Sequence, residues 1–484
     1  MQRRAAHHEP TTPRRVPTDA LQRLIHETEV SFLRANRSFS AKPAEFFYST
    51  VLDVFQPRER VGVFSGDRLP SSSAETNFSS VALCIRGLLP FAKPAERQVL
   101  DTALFSLLTM YMGRLAKDRG MAEMAGSAYT TAIRDFRHVI GSSFPPEPAA
   151  AQMEFCQLFL ALSTALQLFE FVNDLGKTGP GFLAHYDAML KLLQLSGPEV
   201  YQSPALLKSF SGIRGIAVFI ALERRQDTYL SRTEWIDVPF RQNPKNRRET
   251  LHDLALQVPA LLAQADDFVV VSLASDSGTK SPETSPDTGH ALQQLSVAET
   301  LLAAFAKIRS KLEHWLREFT DSSAPKPLYW ESNEAFDSTY AVVDTHCIPK
   351  HEEASHLLRF QDGQKAGALI IYWGVMLELL MSVVDVQAAV STTIVTSSPA
   401  AAMRAMSLCR DMEANRSAAD VVATLMLQSL PYLECCLEGV FVAQLPMRVV
   451  HRYFGRLPRP SNRHLPEIGA VDDQQDFATP LQSR

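Results

Sequence analysis

The sequence predicts an all-α fold, built either as a multi-helix bundle or as an array of antiparallel helices. Apolar residues recur three and four positions apart through most of the chain, as they do on helices that bury one face. Glycine and proline fall between these stretches, and no alternating pattern of convincing strand length interrupts them. A hydrophobic content of 46% supplies the material for a large core.

The length of the chain predicts its division into lobes. Single cores stop growing at roughly 250 to 300 residues, so 484 residues indicate two lobes or one extended helical array. Residues 275–290 are almost wholly Ser, Thr, Pro, Asp and Gly, which predicts a flexible linker or insertion. It would separate a first lobe at 21–274 from a second at 291–457. The polar ends, a basic 1–20 and 458–484, are expected to be disordered tails.

The first lobe is predicted to begin with three helices between Ala95 and Asp174, with Gly120 and Gly176 as helix stops. Proline and glycine punctuation divides the rest of this lobe into shorter helical stretches. Helices are expected at 182–195, 204–224 and 251–273, with a surface loop at 239–248.

The second lobe is predicted to begin with a long helix that packs one apolar stripe into the core. That stripe consists of Leu292, Leu295, Leu302, Phe305, Ile308, Leu312, Trp315 and Phe319. Further helices are expected at 352–360, 364–389, 400–413, 418–439 and 446–454. The most apolar stretch, 366–384, has 12 uncharged residues before Glu378, fewer than the roughly 20 that a membrane helix needs. We therefore expect a buried core helix there and no membrane partner.

Charge and cysteine content limit the partners and the compartment. A net charge of −5 gives no general basic field for nucleic acid, so any such affinity is expected to be local. Six cysteines are too few for a disulfide-stapled secreted domain, which favours a reducing, intracellular compartment. Two basic clusters are candidate nuclear-import signals, although the first is also explained as a solvated tail. They are Arg3, Arg4, Arg14 and Arg15 in the tail, and Arg241, Lys245, Arg247 and Arg248 in the loop.

Two motifs resemble phosphate and zinc sites, and each has a simpler explanation. The run 176–178, Gly-Lys-Thr, ends like a phosphate-binding loop. However, Phe171 occupies the position of the leading glycine and a helical stretch precedes the run, so we predict a helix cap and turn. His351 and His356 are five residues apart, which turns them roughly 140° apart on a helix and disfavours shared zinc ligation.

Two further motifs resemble catalytic sites. Asp472, Asp473 and Asp476 match the magnesium-binding pattern of helical terpene synthases, but they lie in a polar segment and are expected to be solvated. Cys435 and Cys436 lie in an apolar helix, where thiols are usually packing residues. The sequence therefore predicts no catalytic, cofactor-binding or metal-binding residue, no cofactor and no enzyme.

The stretch 185–235 carries the most specific pattern of the chain. It reads H-Y-D-A-M-L-K-L-L-Q-L-S-G-P from His185, then A-L-L-K-S-F-S-G-I-R-G-I-A-V-F-I-A-L-E-R-R-Q-D-T-Y-L-S-R-T-E-W-I-D-V-P-F from Ala205. This order of a histidine helix, an arginine before an aliphatic run, a basic pair, Thr-aromatic-Leu and Glu-Trp resembles the regulatory domain of fungal zinc-cluster transcription factors. A softer similarity extends over about 30–455.

The resemblance implies a nuclear, helical regulator of transcription, with metabolic or secondary-metabolite genes as the usual targets of the family. It implies contacts with protein partners, such as a zinc-cluster factor, or with a small-molecule effector. The zinc cluster itself is missing, because no cysteine precedes Cys84 and none forms a Cys-x-x-Cys pair. Direct DNA binding is therefore not implied. A helical adaptor or scaffold and an isoprenoid-type helical enzyme are the alternatives.

Four residues of this motif, His185, Arg214, Glu234 and Trp235, are expected to stabilise the fold instead of binding a ligand. An arginine on an apolar helix is usually paired with a carboxylate. A tryptophan after a loop usually fills a gap in the core. The motif is therefore expected to mark packing, and no site residue is predicted from it.

Overall fold

The fold is all-α, as predicted. A computed structural model of the chain describes residues 94–143, 149–174, 179–277, 288–332, 357–393, 399–433 and 437–456. In this part of the chain, long helices alternate with short connections, and the strands form one two-stranded antiparallel sheet.

The first three helices confirm the prediction for this region: α1 (Pro94–Ala116), α2 (Arg119–Ser143) and α3 (Ala149–Asn173). Helix α1 lies against both of the others. The chain turns between α1 and α2 at Lys117, whose φ is 54°, and the Asp118 carboxylate accepts a hydrogen bond from the Met121 N–H at 3.1 Å. Gly120 is therefore not the helix stop that the sequence predicts. Lys117 ends α1 and Asp118 caps α2 before the chain reaches Gly120.

Most of the resemblance motif folds as two helices, α4 (Pro180–Ser196) and α5 (Pro204–Arg224), with a 3-10 turn between them. Both helices confirm the predicted ranges. Gly197, with φ of 79°, ends α4 because glycine alone adopts this conformation without steric cost. Arg225 ends α5 in the left-handed conformation, with φ of 47°.

Residues 241–248 lie at the surface, as predicted, whereas the first two residues of the predicted loop are buried. The loop follows the short helix α6 (Thr233–Asp237) and runs into α7 (Arg247–Ala255). Pro239 and Phe240 are buried, and the guanidinium of Arg214 and the ammonium of Lys245 lie over the Phe240 ring. These contacts hold the segment against the core.

Helices α8 (Val258–Ser277) and α9 (Thr288–Asp321) extend into the predicted linker from both sides. Residues 275–277 and 288–290 are helical, and 278–287 lie outside the described residues. One main hydrophobic core includes residues from both sides of this segment, Phe210 and Leu377 among them. A second apolar cluster lies among α1, α2 and α3.

The predicted helix at 352–360 is wrong at its described end. Strand β1 (Tyr329–Ser332) pairs antiparallel with β2 (Leu357–Phe360). Along β2, Leu358 and Phe360 are buried and alternate with more exposed neighbours, a period of two that suits a strand.

The last helices are α10 (Gly363–Thr393), α11 (Pro399–Cys409), α12 (Met412–Leu433) and α13 (Leu437–Arg456). The break predicted at 414–417, between the helices at 400–413 and 418–439, lies earlier, because the chain turns at Arg410 and Asp411. The helix predicted at 418–439 ends at Leu433. The one predicted to begin at Pro446 begins nine residues earlier, at Leu437, so that this proline lies inside α13.

Helix α10 occupies the centre of the protein, as the prediction of a buried core helix required. It contacts α5, α7, α8, α9, α11, α12, α13 and β2. By length and composition alone, four helical stretches are apolar enough to cross a membrane. They are Gln152–Asn173, Pro204–Arg224, Arg247–Leu273 and Gly363–Thr392, and the most apolar window of the last is 89% buried within the protein.

Candidate functional site

Arg214, at the centre of the resemblance motif, is completely buried between α5 and α7. Its Nη1 donates a hydrogen bond to Glu249 Oε2 at 2.8 Å, and its Nη2 donates to the Asp253 carboxylate. The guanidinium lies 5.6 Å from the Phe210 ring centroid and 5.4 Å from that of Phe240. Arg214 is therefore paired, as expected for an arginine on an apolar helix.

The carboxylates around Arg214 have two further neighbours, a lysine and a histidine. Lys245 Nζ donates to Asp253 at 2.7 Å, and His252 Nδ1 lies 3.7 Å from Glu249 Oε2. Burial alone would raise the pKa of Glu249, but His252 and Arg214 hold that pKa below its usual value. Burial lowers the pKa of His252 in turn, which favours its neutral form. We call Arg214, Lys245, Glu249, His252 and Asp253 the α5–α7 charge cluster, and it holds these two helices together.

Trp235 and His185 also lie in packed surroundings. Trp235 is 5% exposed and contacts the rings of Tyr201, Phe210 and Tyr229. His185 Nε2 lies 2.9 Å from the hydroxyl of Tyr129, which donates a hydrogen bond to Glu170. Burial lowers the pKa of His185 to about 4, so the imidazole is neutral at physiological pH. Glu234 is exposed on α6.

A second buried ionic group joins helices from both halves of the chain. Glu378, fully buried on α10, accepts hydrogen bonds from Arg225 at 3.1 Å and from Arg452. Arg225 also donates to Asp266 on α8 at 2.5 Å and to Ser382 at 3.3 Å. Burial raises the pKa of Glu378, and the two arginines oppose that shift. The arrangement holds the end of α5 against α8, α10 and α13.

Two of the four basic side chains of the predicted basic loop, Lys245 and Arg247, form ion pairs. Besides its bond to Asp253, Lys245 Nζ lies 3.7 Å from Asp237 Oδ1. Arg247 donates to Glu318 on α9, whereas the exposed Arg241 and the half-buried Arg248 have no ion pair within the described residues. The tail arginines lie outside the described residues, as do 176–178, the histidine pair at 351 and 356, the cysteine pair at 435 and 436, and the aspartates at 472–476.

One open surface feature of the described region is a groove of about 540 Å³ between α8 and α9. Phe268 and Leu301, 8% and 5% exposed, form its floor, whereas Val271 and Val297 stand at its edge, 54% and 45% exposed. Its other lining residues are Gln264, Asp267, Gln293, Gln294, Ser296 and Thr300. We call this the α8–α9 groove. An apolar floor with a few polar groups can bind an apolar side chain or helix face.

The sequence did not predict this groove. It placed Leu292 on the core-facing stripe of α9, but Leu292 is 38% exposed, whereas Leu295, one turn further along, is 1% exposed. The sequence did contain a sign of exposed apolar surface at Val270, Val271 and Leu273. Three large apolar residues within four positions cannot all lie on one buried helix face.

Within the residues that the structure describes, no group of three or more His, Cys, Asp or Glu side chains is placed to hold a metal ion. No protein-family model matches the chain, and neither a curated protein nor a solved structure matches it.

Proposed function

We propose that this protein is a transcriptional regulator that acts in the nucleus through contacts of its helical body with other proteins. The observation that carries the proposal is the α8–α9 groove, where the valines at its edge are about half exposed. A partner that covers these apolar side chains removes them from water, which is favourable.

The resemblance motif supports the regulatory part of the proposal. Its sequence is similar to the regulatory domain of zinc-cluster transcription factors, and in this chain Arg214 and Trp235 serve the packing of α5, α6 and α7. Residues 185–235 thus stabilise the fold, and the binding of partners depends on side chains at the protein surface. The regulator would reach promoters by binding a partner that contacts DNA, and its targets would be metabolic or secondary-metabolite genes.

A reporter assay tests the proposal directly. The full chain is fused to an unrelated DNA-binding domain and expressed with a reporter that carries the matching sites. We expect the fusion to change transcription relative to the DNA-binding domain alone, in either direction. A silent reporter, with the fusion present at equal level in the nucleus, would contradict the regulatory role and favour a helical adaptor, which would use the same groove for another purpose.

Nuclear entry is tested separately by imaging a fluorescently tagged chain. Because Lys245 and Arg247 are held in ion pairs, we propose that the import signal is the tail cluster of Arg3, Arg4, Arg14 and Arg15. Changing these four to glutamine should move the chain to the cytoplasm, whereas Arg241→Gln should leave it nuclear. An unchanged nuclear signal in the fourfold variant would overturn this assignment.

A further inference from the structure

We infer that the α8–α9 groove binds a basic amphipathic helix of a protein partner. This rests on the proposed function, in which the helical body contacts other proteins, and it specifies both the surface and the chemistry of the partner. The inference follows from the shape of the groove, the exposure of its edge and the sign of its charge.

The shape of the groove suits a helix. The α8 wall consists of Gln264, Asp267, Phe268 and Val271, which are spaced as i, i+3, i+4 and i+7 and so form one helical face. The α9 wall runs from Gln293 to Leu301 over the same number of turns. Two helices side by side leave a furrow along their length, and a third helix can fill it with an apolar stripe of the same spacing.

The exposure of the edge favours a helix over a small molecule. Five of the twelve exposed large apolar side chains in the described part of the chain are at this end of α8 and α9. They are Val270, Val271, Leu273, Leu292 and Val297. A small-molecule pocket encloses about 70–90% of its ligand, which walls half open to solvent cannot do. Of these five, Val271 and Val297 line the groove itself, one on each helix, so its two edges offer apolar contact along the length of a partner helix.

The charge of the walls predicts a basic partner. Residues 258–277 and 291–306 contain four acidic side chains, Asp266, Asp267, Asp276 and Glu299, and no lysine or arginine. Asp266 is bonded to Arg225 and Glu299 to Arg404, whereas Asp267 lines the groove and has no ion pair within the described residues. A lysine or arginine beside the apolar stripe of the incoming helix would pair with Asp267, and an acidic residue there would be repelled.

Binding of two synthetic peptides to the full chain tests the inference. Both peptides carry the same apolar stripe at i, i+3, i+4 and i+7 on a helix-forming background, with lysines flanking it in one and glutamates in the other. Fluorescence anisotropy should show that the lysine peptide binds at least about tenfold more tightly. Asp267→Lys should reverse this preference, and Val297→Asp should abolish binding of both peptides.

A matched control separates the groove from a general surface effect. Val421 on α12 is 57% exposed and lies outside the groove, so Val421→Asp should bind the lysine peptide as the unaltered chain does. Far-ultraviolet circular dichroism shows whether each variant keeps its helical content. Equal affinity for the two peptides, or binding that survives Val297→Asp in a folded chain, would overturn the inference.

A second copy of the chain is the competing occupant of the α8–α9 groove. It would place in the groove the exposed Met403 and Met406 of its helix α11, which lie on either side of Arg404. A dimer seen by light scattering after size exclusion, and lost on Val297→Asp, would assign the groove to self-association and overturn the inference. The reporter assay separates the two proposals. An active reporter without peptide preference refutes the inference alone, whereas peptide preference with a silent reporter refutes the transcriptional role alone.

Discussion

Truncation of Arg214 to alanine is expected to reduce the free energy of unfolding by about 3 to 5 kcal/mol, the usual cost of removing one partner of a buried ion pair. The guanidinium is completely buried, and the Glu249 side chain that it contacts is 4% exposed. Glu249 would lose its nearest cation, at 2.8 Å, and could not be solvated in exchange. Asp253 would keep Lys245 at 2.7 Å, which places the expected loss in the lower half of that range.

Urea unfolding followed by far-ultraviolet circular dichroism measures this loss. Arg119→Ala is the matched control, because Arg119 and Glu123 form an ion pair whose side chains are 80% and 68% exposed. Removing that pair should cost less than about 0.5 kcal/mol. Joint replacement of Arg214 by Met and Glu249 by Leu should recover part of the loss, since no unpaired charge then stays buried.

Two results would refute the reasoning about the α5–α7 charge cluster. In the first, Arg214→Ala would destabilise the chain no more than Arg119→Ala. In the second, the double replacement would reduce the free energy of unfolding by the sum of the losses for Arg214→Met and Glu249→Leu alone. That result would show that the arginine and the glutamate act independently.

Three other measurements test the packing. Lowering the pH from about 6.5 towards 4 should reduce the free energy of unfolding, and His185 should contribute up to about 1.4 kcal/mol per pH unit, because the unfolded chain binds the proton that the folded chain excludes. His185→Gln should remove this contribution to the pH dependence of stability. Gly374→Ala should cost about 1 to 3 kcal/mol, since its Cβ would lie 2.9 Å from the Phe219 ring, whereas Gly126→Ala, with open space around it, should gain up to about 1 kcal/mol. Trp315→Phe should cost about 1 to 3 kcal/mol, because it removes the 2.7 Å hydrogen bond from the indole to a backbone carbonyl of α7. An unchanged thermal unfolding temperature in this variant would contradict that prediction.

Local patterns in the sequence were sufficient to predict most helices. The i, i+3, i+4 spacing of apolar residues predicted α1 to α5, α9 and α10, because a buried helix face imposes that period wherever it packs. The same rule failed at β2, where four residues are too few to distinguish a period of two from one of 3.6. It also placed the boundary between α11 and α12 too late, at 414–417, since the turn at Arg410 and Asp411 contains neither glycine nor proline.

Side-chain partners depended on tertiary contacts that no local pattern contains. The sequence predicted that Arg214 is paired, but Glu249 and Asp253 are 35 and 39 residues away. Glu378 was noticed only as an interruption in an apolar stretch, and its partner Arg225 is 153 residues away. The α8–α9 groove is even harder to predict from the sequence. Its existence depends on the packing of all the other helices, which leaves these faces of α8 and α9 uncovered.

Chromatin immunoprecipitation of the tagged full chain, coupled to sequencing of the DNA and mass spectrometry of the co-purified proteins, tests the proposed function most directly. We predict enrichment at promoters together with a DNA-binding partner, and loss of both when Val297 is changed to aspartate. A chain that is folded and expressed but shows no enrichment above an untagged control would contradict the proposal that this protein regulates transcription.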